Sequence, residues 1–293
     1  ALFDLTRLCG YPYLKDNGAS LGVPIVKELS TIDSKPARNT VAECYTEIIS
    51  DLKNSTELLS GDFNKGKVNR WAAMTLLSRV YLYKGEYNEA LTMAENAIKG
   101  AEKEGYALWT NEEYPTAWGN DASASNPGER LVEIVNLTTD SPGKESMGYL
   151  NSYNGYDDMC ITCSFYQLLK KDPKDVRLKI LSFDKKYYAY VNKYQPQQGE
   201  NITDANIPLI RLSEAYLNAA EAAVQTGDNA KAVKYLNSIV QRANPENSVE
   251  GKTLTLENVL DERRKELVAE GHRMYDVIRN GMTVKRIDVK DSD

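Results

Sequence analysis

The sequence predicts a mainly α-helical protein of tetratricopeptide-like helical hairpins, interrupted by a large irregular, partly β insertion. Three observations predict this. Two pairs of helical segments each break at a glycine, Gly85 and Gly227. Small residues recur at matching distances from these hinges, with Ser78 and Ala220 seven before and Ala90 and Ala232 five after. Between the pairs, residues 105–208 lose the helical period and turn aromatic.

Taken in order, residues 1–8 read as the middle of an amphipathic helix, which predicts further chain upstream. They lack the basic start, long apolar run and cleavage site of a signal peptide. Residues 10–36, rich in Gly and Pro, predict a long loop. Residues 39–59 form a helix whose apolar stripe includes Val41, Tyr45, Ile48, Ile49 and Leu52. Thr40 or Asn39 caps it, and Glu43 stands at capping-box spacing from Thr40. The first hairpin pairs helices over residues 69–84 and 87–99, the second of them closed by Gly100. The other hairpin pairs residues 209–226 with 229–243. Each break is so short that the two helices must pack antiparallel. Leu77, Tyr81, Tyr87, Ala94 and Ala97 fit the tetratricopeptide pattern; Ala219, Ala223, Leu236 and Ile239 fit it more loosely.

Within the insertion, residues 131–137 and 187–194 read as strands and residues 164–171 as a short helix ended at Asp172-Pro173. A last helix runs from Thr255 or Glu257 to Ile278. It is crowded with charge, and opposite charges three and four apart predict a solvated face. Gly271 within it costs about 1 kcal/mol relative to Ala, which predicts close packing there against another element.

Composition excludes several classes. Apolar residues make up 42% of the 293 and charged residues 27%, so the chain can bury a core and is not disordered. With 36 basic against 42 acidic residues there is no cationic excess, which disfavours nucleic acid and an anionic membrane surface as partners. No run of 18 apolar residues exists to span a bilayer. Cys160 and Cys163 have metal or redox spacing, but one histidine and no second cysteine pair cannot complete a tetrahedral zinc site; a disulfide or two free thiols is the alternative. No cofactor motif or phosphate-binding loop is present.

The aromatic inventory is lopsided, with 19 Tyr, 3 Trp and 4 Phe. Many of the tyrosines would fill helix seams. Aromatic rings outside the repeats are natural platforms for the C–H face of a pyranose, with amides and carboxylates meeting its hydroxyls. The candidates are Trp118, Tyr114, Tyr153 and Tyr156, with Asn151 and Asp157 as polar partners. A glycoside hydrolase would need two carboxylates facing each other, and adjacent Asp157 and Asp158 point apart. His272, the only histidine, lies in the charged helix and reads as structural. A peptide-gripping tetratricopeptide adaptor would explain the repeats but not the insertion. Arg211, Glu214 and Glu221 share one face, and Glu262, Arg263 and Arg273 of the last helix are their expected partners in a partly buried, structural ion-pair network.

Three stretches together resemble the SusD-like (RagB/SusD) family: NRWAAMTLLSRVYLY over residues 69–83, IPLIRLSEAYLNAAEA over 207–222, and DERRKELVAEGHRMYD over 261–276. DPKDVR at 172–177 and Lys193-Tyr194 also sit where that family places similar residues. The ordered set extends over nearly the whole chain. It implies one domain over residues 1–293, with repeats over about 1–104 and 207–280 and a ligand-holding insertion over about 105–206. It further implies a surface-exposed outer-membrane lipoprotein, not an enzyme, that captures oligosaccharide and sits over a SusC-like TonB-dependent transporter. The family's leader, lipidated cysteine and C-terminal tail would lie beyond Ala1 and Asp293, since Cys9 has no lipobox around it.

Overall fold

Alanine sets the architecture. Along the helix Tyr87–Lys103, Ala90, Ala94, Ala97 and Ala101 are fully buried, and along Leu212–Gln225 so are Ala215, Ala219, Ala220, Ala222 and Ala223. These two helices pack directly on each other although residues 104–211 separate them in sequence. Side chains this small let the backbones approach closely, so two hairpins distant in the chain stack as neighbours.

The computed structural model describes residues 1–29, 31, 33–120, 122–123, 125–156, 158–184, 188–196 and 201–284. Its helices are α1 (Leu2–Cys9), α2 (Tyr13–Asp16), α3 (Val41–Leu58), α4 (Arg70–Lys84), α5 (Tyr87–Lys103), α6 (Tyr114–Ala117), α7 (Met147–Leu150), α8 (Cys163–Lys170), α9 (Leu212–Gln225), α10 (Asn229–Ala243), α11 (Leu256–Glu266) and α12 (Arg273–Arg279). Helices α3, α4, α5, α9 and α10 pack in that spatial order, with α11 laid against α9. The strands are β1 (Arg130–Ile134), β2 (Leu181–Phe183), β3 (Ala189–Val191) and β4 (Ile207–Arg211). Antiparallel β1 and β4 close the neck of the insertion, and β2 and β3 form a hairpin inside it. Among the described residues no helix is long and apolar enough to cross a membrane.

The caps follow the sequence. Thr40 and Glu43 form a reciprocal capping box on α3, and the Asn69 side chain accepts from Ala72 N–H on α4. Both hinges use one device. Gly85 and Gly227 adopt left-handed φ of 81° and 79°. The next residue's N–H then reaches back to the last helical turn, Glu86 to Tyr81 O at 3.0 Å and Asp228 to Ala223 O at 2.9 Å.

Four expectations change. Gly100 does not end α5, which continues to Lys103; it lies under the Trp71 ring, where a Cβ would overlap the indole. Residues 209–211 extend β4 instead of starting α9, because they pair with β1 across the neck. The expected last helix is two, broken over 267–272 where Ala269 and Gly271 take φ of 65° and 76°. Gly271 therefore serves the turn, and nothing packs within 4 Å of where its Cβ would be. The charged face of α11 is not solvated: Glu262, Arg263 and Glu266 are all inside, as the expected ion-pair network requires of Glu262 and Arg263. The start of the strand expected from Tyr187 lies outside the described residues, and the described strand is β3.

Candidate functional site

The expected ligand residues separate into an interior set and a surface set. Tyr114 and Trp118 are interior, 0% and 3% exposed. With Trp109 they form an edge-to-face cluster whose Trp118–Tyr114 and Trp118–Trp109 centroids are 5.5 and 4.9 Å apart. Cations cover the rings: the Arg211 guanidinium and Lys193 Nζ lie 4.9 and 4.8 Å from the Trp118 ring centre, and the Arg242 guanidinium 4.3 Å from that of Tyr114. Rings so enclosed have no face for a solvent-borne sugar, which corrects the expectation for Trp118 and Tyr114. They are the packing partners of buried charge. Asn151 is also buried, and its amide donates to Met147 O at 2.9 Å, tying the end of α7. It supports the surface and does not line it.

Tyr153 and Tyr156 are open to solvent, 46% and 45% exposed. They stand on a turn that follows α7, in which Gly155 is obligatory because a Cβ there would collide with Tyr149 O. The Tyr156 ring meets Tyr149 edge-on at 5.1 Å, and Tyr153 leans on Tyr190 of β3 at 6.2 Å. Ile161 N–H donates to Ala189 O at 2.9 Å, which fastens the following segment along β3. Tyr188 immediately precedes this strand, where its carbonyl accepts from Asp184 N–H at 3.0 Å, and is half exposed. Three exposed phenol rings, Tyr153, Tyr156 and Tyr188, thus rise from one loop and the hairpin beside it. Tyr188 was not singled out from sequence; the alternation over residues 187–194 was the signal for it. Asp157 lies outside the described residues.

A buried ion network surrounds the interior ring cluster. Arg211 ion-pairs with Glu129, Glu266 and Glu270; Arg242 pairs with Glu266; Arg177 pairs with Asp175, Glu262 and Glu266; and Lys193 pairs with Glu270. A second group joins Glu221 to Arg263 and Arg279, with Asp276 between them, and Glu214 pairs with Arg79. Arg273 makes no ion pair or side-chain hydrogen bond among the described residues. The break before α12 resets the helix phase, so Asp276 and Arg279 take the place expected of it. Burial raises the Glu266 pKa, but the Arg242, Arg211 and Arg177 charges outweigh it and hold the carboxyl far below its usual range. Burial drives Lys193 down to about 8 against the pull of Glu270. His272 is pushed well below its ordinary value by burial and by the positive field of Arg79 and Arg263, so it is a neutral interior group.

The cysteines at 160 and 163 are free and exposed, and among the described residues no group of three or more side chains could hold a metal.

The fold is a stack of helical hairpins carrying an irregular insertion that presents exposed tyrosines. Residues 183–291 match the SusD family, and residues 2–82 match the family described as starch-binding associating with outer membrane. A solved protein from Bacteroides vulgatus, described as a candidate sugar-binding protein, is 99% identical with a TM-score of 0.97 over 99% of this chain and 65% of its own. A SusD superfamily protein from Bacteroides thetaiotaomicron is 40% identical, with a TM-score of 0.89 over 98% of this chain and 66% of its own. A SusD-like protein of Bacteroides ovatus is 24% identical over 94% of this chain. The chain belongs to the SusD-like family. It spans 57% of the length of the Bacteroides ovatus relative.

Proposed function

We propose that this chain is the glycan-capturing body of a surface-exposed outer-membrane lipoprotein that passes oligosaccharide to a SusC-like TonB-dependent transporter. The repeats act as the frame and the insertion as the ligand-holding part of one domain. The observation that carries this reading is the trio of exposed tyrosines, Tyr153, Tyr156 and Tyr188, on a turn and hairpin braced by Tyr149 and Tyr190. An aromatic ring stacks on a sugar's C–H face without demanding one sequence of sugars, so neighbouring rings suit a chain of pyranoses. Association with the outer membrane is the description of the family matched by residues 2–82.

Affinity electrophoresis through gels containing neutral polysaccharides tests the capture step. A Tyr153→Ala/Tyr156→Ala variant should migrate as it does in plain gel, while the parent is retarded. Equal retardation of both would remove these rings from the site. Co-purification of a transporter barrel with the lipidated full-length protein tests the delivery step.

A further inference from the structure

A cavity of about 350 Å³ opens where α8 and the turn after it meet α10, α11 and the loop between them. None of Tyr153, Tyr156 and Tyr188 lines it, and its volume falls within the roughly 300–1,000 Å³ range of small-molecule sites. Its floor is aliphatic and buried, made by Leu169, Leu236, Val240 and Leu254. Its rim is polar and uncommitted. Lys171, Lys252, Thr253 and Asp261 line it and make no ion pair or side-chain hydrogen bond among the described residues. Asn258 Oδ1 accepts from the Thr255 N–H and hydroxyl at the α11 cap, and its amide NH₂ has no partner among the described residues.

The charges of the lining cancel: Asp172, Asp175, Asp261 and Glu262 stand against Lys171, Arg177, Lys252 and Lys265. A net anion or cation would therefore meet as much repulsion as attraction. A neutral polyol would not. Its C–H face matches the aliphatic floor, and its hydroxyls, each both donor and acceptor, match a rim that offers free ammonium, amide and hydroxyl donors beside a free carboxylate. We infer that this cleft is a second binding site, for a neutral mono- or disaccharide unit, separate from the tyrosine surface. Because one wall is α8 of the insertion and the others are α10 and α11 of the repeats, a bound sugar would bridge the two parts.

The inference stands apart from the tyrosine reading, and saturation-transfer NMR on the 293-residue chain separates them. The probes are the methyl glycosides of glucose, galactose, mannose and xylose, with methyl glucuronoside as the charged comparison. At least one neutral glycoside should receive saturation. Thr253→Ala/Asp261→Ala should lower that signal about tenfold or more by removing two hydrogen-bonding groups, while Tyr153→Ala/Tyr156→Ala should leave it. No transfer to any neutral glycoside, transfer only to the glucuronoside, or a signal untouched by Thr253→Ala/Asp261→Ala would each overturn the inference. Should that variant fail to fold, hydrogen exchange on the parent decides: slowed exchange over residues 247–254 with the bound glycoside supports the cleft, and unchanged exchange overturns it.

Discussion

The Arg211 guanidinium lies 3.0 Å from the Glu266 carboxylate with both side chains fully withdrawn from solvent. The pair joins the end of β4 to the end of α11, and Glu129 and Arg242 extend it to the neck of the insertion and to α10. Taking such charges out of water is costly, and they are tolerated only as a complete set. Arg211→Ala should therefore cost about 3–5 kcal/mol in urea denaturation, because it strands buried carboxylates. Arg211→Met/Glu266→Met should cost less than the sum of the two single changes by at least about 1 kcal/mol. Additive losses would show that the two residues act independently.

Lys193 makes the same network sensitive to alkaline pH. Its ammonium donates to Glu266 O and Glu270 Oε1, each at 2.6 Å, in a fully buried position. Burial lowers its pKa from an ordinary 10.5 to about 8. Below pH 8 the lysine is charged in both folded and unfolded chains, and the cost of holding it inside is constant. Between about 8 and 10.5 the folded chain has lost a proton that the unfolded chain still binds, so this group makes stability rise with pH. The stability of the parent minus that of Lys193→Met should climb across this window, by on the order of 3 kcal/mol in full. A flat difference would mean that the ammonium is solvated after all.

Gly100 offers a test of packing against propensity. In a helix interior, Gly→Ala ordinarily stabilises by about 1 kcal/mol. Here the new methyl would overlap the Trp71 indole, and that ring is pinned by its N–H donating to Gly61 O at 3.0 Å. Overpacking of this kind costs about 1–3 kcal/mol. Gly100→Ala should thus lower stability by about 1 kcal/mol, and Gly100→Ala/Trp71→Leu should recover part of it. A more stable Gly100→Ala would show that the ring swings aside freely.

The helical frame was legible because its signals are local. Caps at Thr40 and Asn69, left-handed glycines at the hinges and buried alanines at fixed spacing each act within a turn or two of chain. The break at Gly271 was not, since a glycine in a charged helix can mark either a close contact or a turn. Only the fold shows that no contact is there. The ligand residues were legible in kind and not in place. Trp118 and Tyr153 are both aromatic residues in irregular chain, and what divides them is long-range: Arg211 and Lys193 arrive from elsewhere in the sequence to cover the indole. Arg273 failed for a related reason, because helix phase cannot be carried across a break.

That division between Trp118 and Tyr153 yields the sharpest prediction for the candidate site. Trp118→Ala removes a ring packed against two other aromatics and two buried cations, leaving a cavity and the Arg211 and Lys193 charges without their apolar cover. It should cost about 3–5 kcal/mol, seen as a large fall in the urea midpoint, and any glycan retention should decline only in step with the folded fraction. Tyr153→Ala removes a half-exposed ring and should cost under about 1 kcal/mol, yet weaken glycan retention in fully folded protein. Measuring both properties on both variants distinguishes support from contact. A Trp118→Ala protein that stays fully folded but loses retention would place the indole in the ligand's path and reverse the assignment made from its burial.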